Sequence, residues 1–162
     1  MSYYANVFQF VKASDSIGKY KAQKITGFPF GEVVNIKKLA QASDFTKVFV
    51  IIFGISERRL LRVRVKDFFR ALNWVRMELE QLIDREKHLM SEEDPEMVDA
   101  GSERLNVFQE MNILIPLSKE YGMMPDEIAS WKYSTIFTIM YHDKISRDIE
   151  IEYSKTMKNK IK

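Results

Sequence analysis

The sequence predicts a mostly α-helical protein: a helical bundle of two similar halves, each helix–short helix–long helix, behind an irregular N-terminal segment. Three observations carry this. Apolar residues recur with helical spacing over long stretches, above all at Phe68, Leu72, Val75, Leu79 and Leu82, with steps of 4, 3, 4 and 3. Glycine and proline are scarce, 6 and 4 in 162 residues, too few for the many turns of a sandwich or barrel. The chain also matches itself in pattern at a shift of 68 residues.

In chain order, residues 1–42 form the N-terminal segment. Tyr4, Val7, Phe8 and Val11 have helical spacing, and Thr26-Gly27-Phe28-Pro29-Phe30-Gly31 reads as a turn that offers two aromatics for packing or docking. A short amphipathic helix is expected from Val33 to Ala42. Ser43 or Asp44 then caps a nearly apolar, buried helix ending near Phe53, because either side chain accepts from free first-turn N–H groups. A small helix at Glu57–Leu61 precedes the strongest one, from Lys66 to Leu89, roughly 36 Å long at about 1.5 Å per residue.

Residues 91–101 hold five carboxylates and Pro95 and read as an acidic loop between the halves; they lack the alternating ligands and turn glycine of an EF-hand. Helices at Ser102–Glu110 and Ile113–Tyr121 follow, the latter interrupted near Pro116. Gly122 suits a helix end, and Pro125-Asp126-Glu127 a helix start. Ser134 would cap the last long helix, where Phe137, Tyr141, Ile145, Ile149 and Tyr153 fall on every fourth residue, and four lysines end the chain. The whole, residues 1–162, is read as one domain, with halves at 43–90 and 102–158.

The internal match aligns Phe53-Gly54 with Tyr121-Gly122, Glu57 with Pro125 and Leu60 with Ile128. It also aligns Val63-Arg64-Val65 with Trp131-Lys132-Tyr133, two extended triplets expected to hold their basic residue out and their large residues in.

Chemistry is harder to find. There is no cysteine, hence no disulfide and no thiolate. His88 and His142 lack further ligands at zinc spacing. No nucleophile elbow and no phosphate loop occur. The chain is therefore read as a non-enzyme with no catalytic residue, no metal and no cofactor. The first residues show no secretory signal, and the longest apolar run, Val48 to Phe53, cannot span a bilayer. No membrane partner is expected.

What remains are surfaces. Arg58, Arg59, Arg62, Arg64 and Lys66 crowd five cations into nine residues against Glu57. Such a run can be a solvated connector, a dock for a carboxylate-rich protein or a phosphate contact. Together with Phe28 and Phe30 these are the candidate partner-binding residues.

Several stretches resemble one family. Val65-Lys66-Asp67-Phe68-Phe69, the helix end Glu86-Lys87-His88-Leu89, Ala100-Gly101, and Ile128-Ala129-Ser130-Trp131-Lys132-Tyr133 leading into a terminal helix are similar to small helical proteins encoded among the tail genes of tailed bacteriophages, tail-assembly chaperones included. The similarity covers roughly residues 43–158. It implies non-enzymatic work in the host cytoplasm or the virion: binding a long helical tape-measure protein and shielding its apolar surface until tail-tube protein takes over. The chain departs from many such proteins in lacking a disordered acidic tail. That leaves a virion structural role open, with self-association and nucleic-acid binding as further alternatives.

Overall fold

In the computed structural model, residues 11–89, 104 and 107–160 are described. The helical reading holds. Two short strands, β1 (Ser16–Ile17) and β2 (Tyr20–Lys21), pair as an antiparallel hairpin. A 3-10 turn, Ile25–Gly27, leads into α1 (Phe30–Gln41), followed by α2 (Phe45–Phe53), α3 (Glu57–Leu60) and α4 (Val65–Lys87). The later elements are α5 (Met111–Tyr121), α6 (Pro125–Ala129) and α7 (Tyr133–Lys160). Contacts divide the chain into two compact units, Met1–Asp84 and Arg85–Lys162. Of the helix expected over Tyr4–Val11 only Val11 is described, as a bend; the acidic loop and most of the helix expected at Ser102–Glu110 lie outside the described residues.

In the first unit the apolar helix α2 is the centre. Val48, Phe49, Ile52 and Phe53 are buried along it. Phe49 meets Phe53 edge-on at 5.4 Å and Phe68 at 4.9 Å, and Phe53 meets Trp74 at 6.2 Å. From α4, Val75, Leu79 and Leu82 of the expected stripe are buried together with Ala71, while Phe68 and Leu72 are half-buried. Burying a side chain of this size is worth roughly 1.5–3 kcal/mol. Asp44 caps α2: its carboxylate accepts from the Lys47 N–H at 3.3 Å. The hydrogen bond to the Lys47 side chain holds that carboxyl below its usual range. At the other end Gly54 takes the left-handed conformation, φ 62°, that favours glycine. The carbonyl of Ile52, in the last turn where no intrahelical donor remains, accepts from Gln23 N–H at 3.0 Å.

The N-terminal residues are tied to α4. Asn73 donates to the Val11 carbonyl at 2.9 Å, Arg70 donates to that of Lys12, and Ser14 N–H donates to the Arg70 carbonyl. The hairpin turns through Gly18-Lys19, with Gly18 at φ 58°. A positive φ at the first central position is what a two-residue hairpin turn of the II′ type requires.

In the second unit, Leu114, Leu117, Ile128, Tyr133 and Ile136 are buried. Tyr121 meets Trp131 edge-on at 5.1 Å. α5 runs through Pro116 rather than breaking there. The pyrrolidine removes one N–H from the helix ladder, and the helix continues around it. α6 starts at Pro125, with the Glu127 carboxylate accepting from Met124 N–H at 2.8 Å. α7 begins at Tyr133, so Ser134 lies inside its first turn instead of capping it.

The 68-residue correspondence reappears in the backbone. Helices end at Phe53 and Tyr121, left-handed glycines follow at Gly54 (φ 62°) and Gly122 (φ 64°), short helices start at Glu57 and Pro125, and long ones at Val65 and Tyr133. A partial third copy lies upstream, 35 residues before the first. Ile25, Leu60 and Ile128 are each buried, and each carbonyl accepts from the N–H three residues on, that of Phe28, Val63 or Trp131. Pro29, Arg64 and Lys132 then hold the long helix with their carbonyls, accepting from Val33, Phe68 and Ile136. The third residue of each triplet opens a helix rather than staying extended. Its burial differs: Phe30 and Tyr133 are 4% and 5% exposed, whereas Val65 is 67% exposed, contrary to the expectation that both large residues face in.

Candidate functional site

The aromatics of the N-terminal turn are not surface groups. Phe28 and Phe30 are buried along with Ile25 and Val33, so the docking role expected of them does not fit their place in the core. The sequence shows a turn. It does not show that Phe30 opens α1 and belongs to that helix's buried face with Val33 and Ile36.

The basic run, by contrast, is exposed from Arg58 to Lys66 apart from Leu60 and Val63, and the fold splits it. Arg59, Arg62 and Arg64 line a cleft of about 270 Å³ together with Lys19 and Tyr20 of the hairpin. Ile17 and Ile55, both buried, form part of its wall. Arg59 donates to the Tyr20 hydroxyl. Arg64 donates to the Asp67 carboxylate at 2.9 Å. The Lys19 ammonium lies 5.7 Å from the centre of the Tyr20 ring. Arg58 goes elsewhere, and Lys66 lines neither of the two clefts beside this run. Sequence reasoning missed Lys19 and Tyr20. Two-residue strands have no periodicity to read, and 39 residues separate Tyr20 from Arg59.

Arg58 and Glu57 rim a second, mostly apolar cleft of about 450 Å³, walled by Leu60, Leu61, Val63, Val65, Phe68 and Phe69. Leu61 is 89% exposed. Val65 is 67% exposed, whereas at its counterpart in the second half the larger Tyr133 is buried and stacks on Phe137 at 6.0 Å.

The distal part of α7 carries a row of exposed apolar residues. Tyr141, Ile145, Ile149, Tyr153 and Met157 occur every fourth residue, and all are exposed. Four residues advance a helix by about 40° beyond a full turn, so these side chains form a slowly winding stripe. Charges of both signs accompany it, including Lys144 and Asp148 paired at 2.6 Å.

His88, in the turn after α4, and His142, on α7, are both exposed. Among the described residues no group of three or more His, Cys, Asp or Glu side chains could hold a metal ion. Among them, too, no helix is long and apolar enough to cross a membrane. Comparison with family models, curated proteins and solved structures returns no match.

Proposed function

We propose that the chain is a non-enzymatic bacteriophage protein that acts in tail assembly by binding another phage protein, in the manner of a chaperone for the tape-measure protein. The observation that carries this reading is the stripe of exposed apolar residues on α7. A contiguous apolar surface bordered by polar groups is costly in water and marks an interaction site. A helical client laid along it would bury Tyr141, Ile145, Ile149 and Tyr153 against its own apolar face, the helix-in-groove mode of recognition. Each buried aliphatic or aromatic side chain would contribute roughly 1.5–3 kcal/mol before the cost of ordering. The mixed charges beside the stripe suit the polar rim of such an interface. They also keep the free chain in solution while it awaits its partner in the host cytoplasm.

The test is recovery of the tagged chain from infected cells, with co-purifying proteins identified by mass spectrometry. The expected result is a tape-measure or other tail protein, lost in the double variant Ile145→Asp, Ile149→Asp with helix content unchanged by circular dichroism. Recovery of no phage protein by the parent chain sinks the proposal. Presence of the chain at fixed copy number in mature particles would instead make it a structural component of the virion.

A further inference from the structure

We infer that the cleft between the β-hairpin and the α3–α4 connection is a binding site for phosphate groups, which goes beyond the protein-binding role proposed above. Four cationic side chains line it, Lys19, Arg59, Arg62 and Arg64, against one carboxylate, Asp67, leaving three positive charges uncompensated. They arrive from two parts of the chain, so the concentration is made by the fold and is not a by-product of one basic run. Two of the arginines are already held in place: Arg64 by Asp67, and Arg59 by a neutral acceptor, the Tyr20 hydroxyl, which leaves its charge unspent. Arg62 lines the cleft, and its side chain has no hydrogen-bond or ion-pair partner among the described residues.

Chemistry selects the ligand class. A carboxylate brings one negative charge and would leave the cleft still strongly positive. A phosphate monoester brings about two charges and three acceptor oxygens in the geometry that guanidinium forks match, and pyrophosphate brings more of both. The Tyr20 hydroxyl accepts from Arg59, and its own proton is left to donate to a phosphate oxygen. The buried Ile17 and Ile55 give the cleft a low-dielectric wall, which concentrates the field of the cations. A free nucleotide offers these groups directly, and a nucleic-acid backbone offers phosphate as successive diesters of one charge each, so that several are needed to match the cleft.

The experiment uses the full chain with three probes: pyrophosphate, a short oligothymidylate, and polyglutamate as the carboxylate control. Thermal melts and fluorescence anisotropy are the readouts. Pyrophosphate is expected to raise the melting temperature. A single-stranded probe gripped through these charges should lose about tenfold or more in affinity between about 50 and 200 mM salt. Arg62→Gln should lower affinity about tenfold or more, the loss of one charge-assisted contact. Because Arg62 is exposed and among like charges, the same variant should melt no lower than the parent without ligand. Arg58→Gln removes the same charge from the same run but lies outside the cleft, and should leave binding unchanged. Binding of pyrophosphate, with or without the oligonucleotide, assigns the site to free phosphate compounds, and binding of the oligonucleotide alone assigns it to the nucleic-acid backbone. No binding, equal losses in the Arg58 and Arg62 variants, or polyglutamate binding as well as pyrophosphate each overturn the proposal, the last in favour of an acidic protein surface.

Discussion

Tyr133 donates its phenolic proton to Glu86 at 2.7 Å from the first position of α7. Burial, then the hydrogen bond and the charge of Glu86, push its pKa well above the ordinary value of 10.0. The folded state therefore keeps this proton where the unfolded chain gives it up. The associated stability is complete below about pH 10 and drains away as pH rises beyond it. Tyr133→Phe should cost about 1.5–3 kcal/mol at pH 8, the range for a hydrogen bond to a charged acceptor. The gap to the parent should narrow at pH 11, where the parent has lost part of that advantage. Urea unfolding at both pH values measures it, and a gap that widens with pH would contradict the assignment. Single residues were legible in the sequence where backbone chemistry forces them: Gly54 and Gly122 as helix stops, Asp44 as a cap, Pro125 as a first helical residue. Phe28 and Phe30 were not, because an aromatic beside proline and glycine looks the same in sequence whether it docks a partner or fills a core.

At the scale of elements, helices with a wide apolar stripe were easiest to locate. α4 was expected from Lys66 and starts at Val65; α2 ends at Phe53 as read. The hairpin went unseen because two paired residues per strand leave no alternation to detect. The exposed character of distal α7 was also hidden. Its apolar residues at every fourth position would look the same packed or bare, and only the fold decides. The three triplets do predict something new about α4. Phe30 and Tyr133 are buried at the equivalent positions of the other copies, whereas Val65 lines an open cleft with Leu61 and Phe69. Val65→Phe should close part of this cleft and raise stability by about 0.5–2 kcal/mol, the usual return from filling a cavity. A rise in the midpoint of thermal unfolding is the expected result. A fall would show that the first half lacks the room its counterparts provide.

For the whole molecule, the bundle followed from scarce Gly and Pro and from long periodic stretches, and the mostly helical architecture agrees. The sequence was divided at residues 91–101 by their acidity, whereas the contacts part at Asp84 and Arg85. That boundary has no signal in the chain, because the spacing of α4 runs on through it without a change of character. The net charge of +2 also says little. It averages over the cleft, where cations outnumber the carboxylate four to one, and over an acidic stretch whose effect cancels in the sum. Phosphate recognition therefore depends on local placement, which tertiary structure supplies and composition cannot.

The matching backbone punctuation has a practical consequence. Glu57–Arg64 and Pro125–Lys132 are segments of equal length, entered after a left-handed glycine and two residues and left at the first residue of a long helix. They should behave as interchangeable cassettes. Splicing Pro125–Lys132 in place of Glu57–Arg64 would erase Arg58, Arg59, Arg62 and Arg64 together, leaving Lys132 as the lone cation of the graft. The expected chimera keeps its helix content and loses its response to pyrophosphate. Collapse of the helical signal would mean that the two segments share a rhythm without sharing a fit.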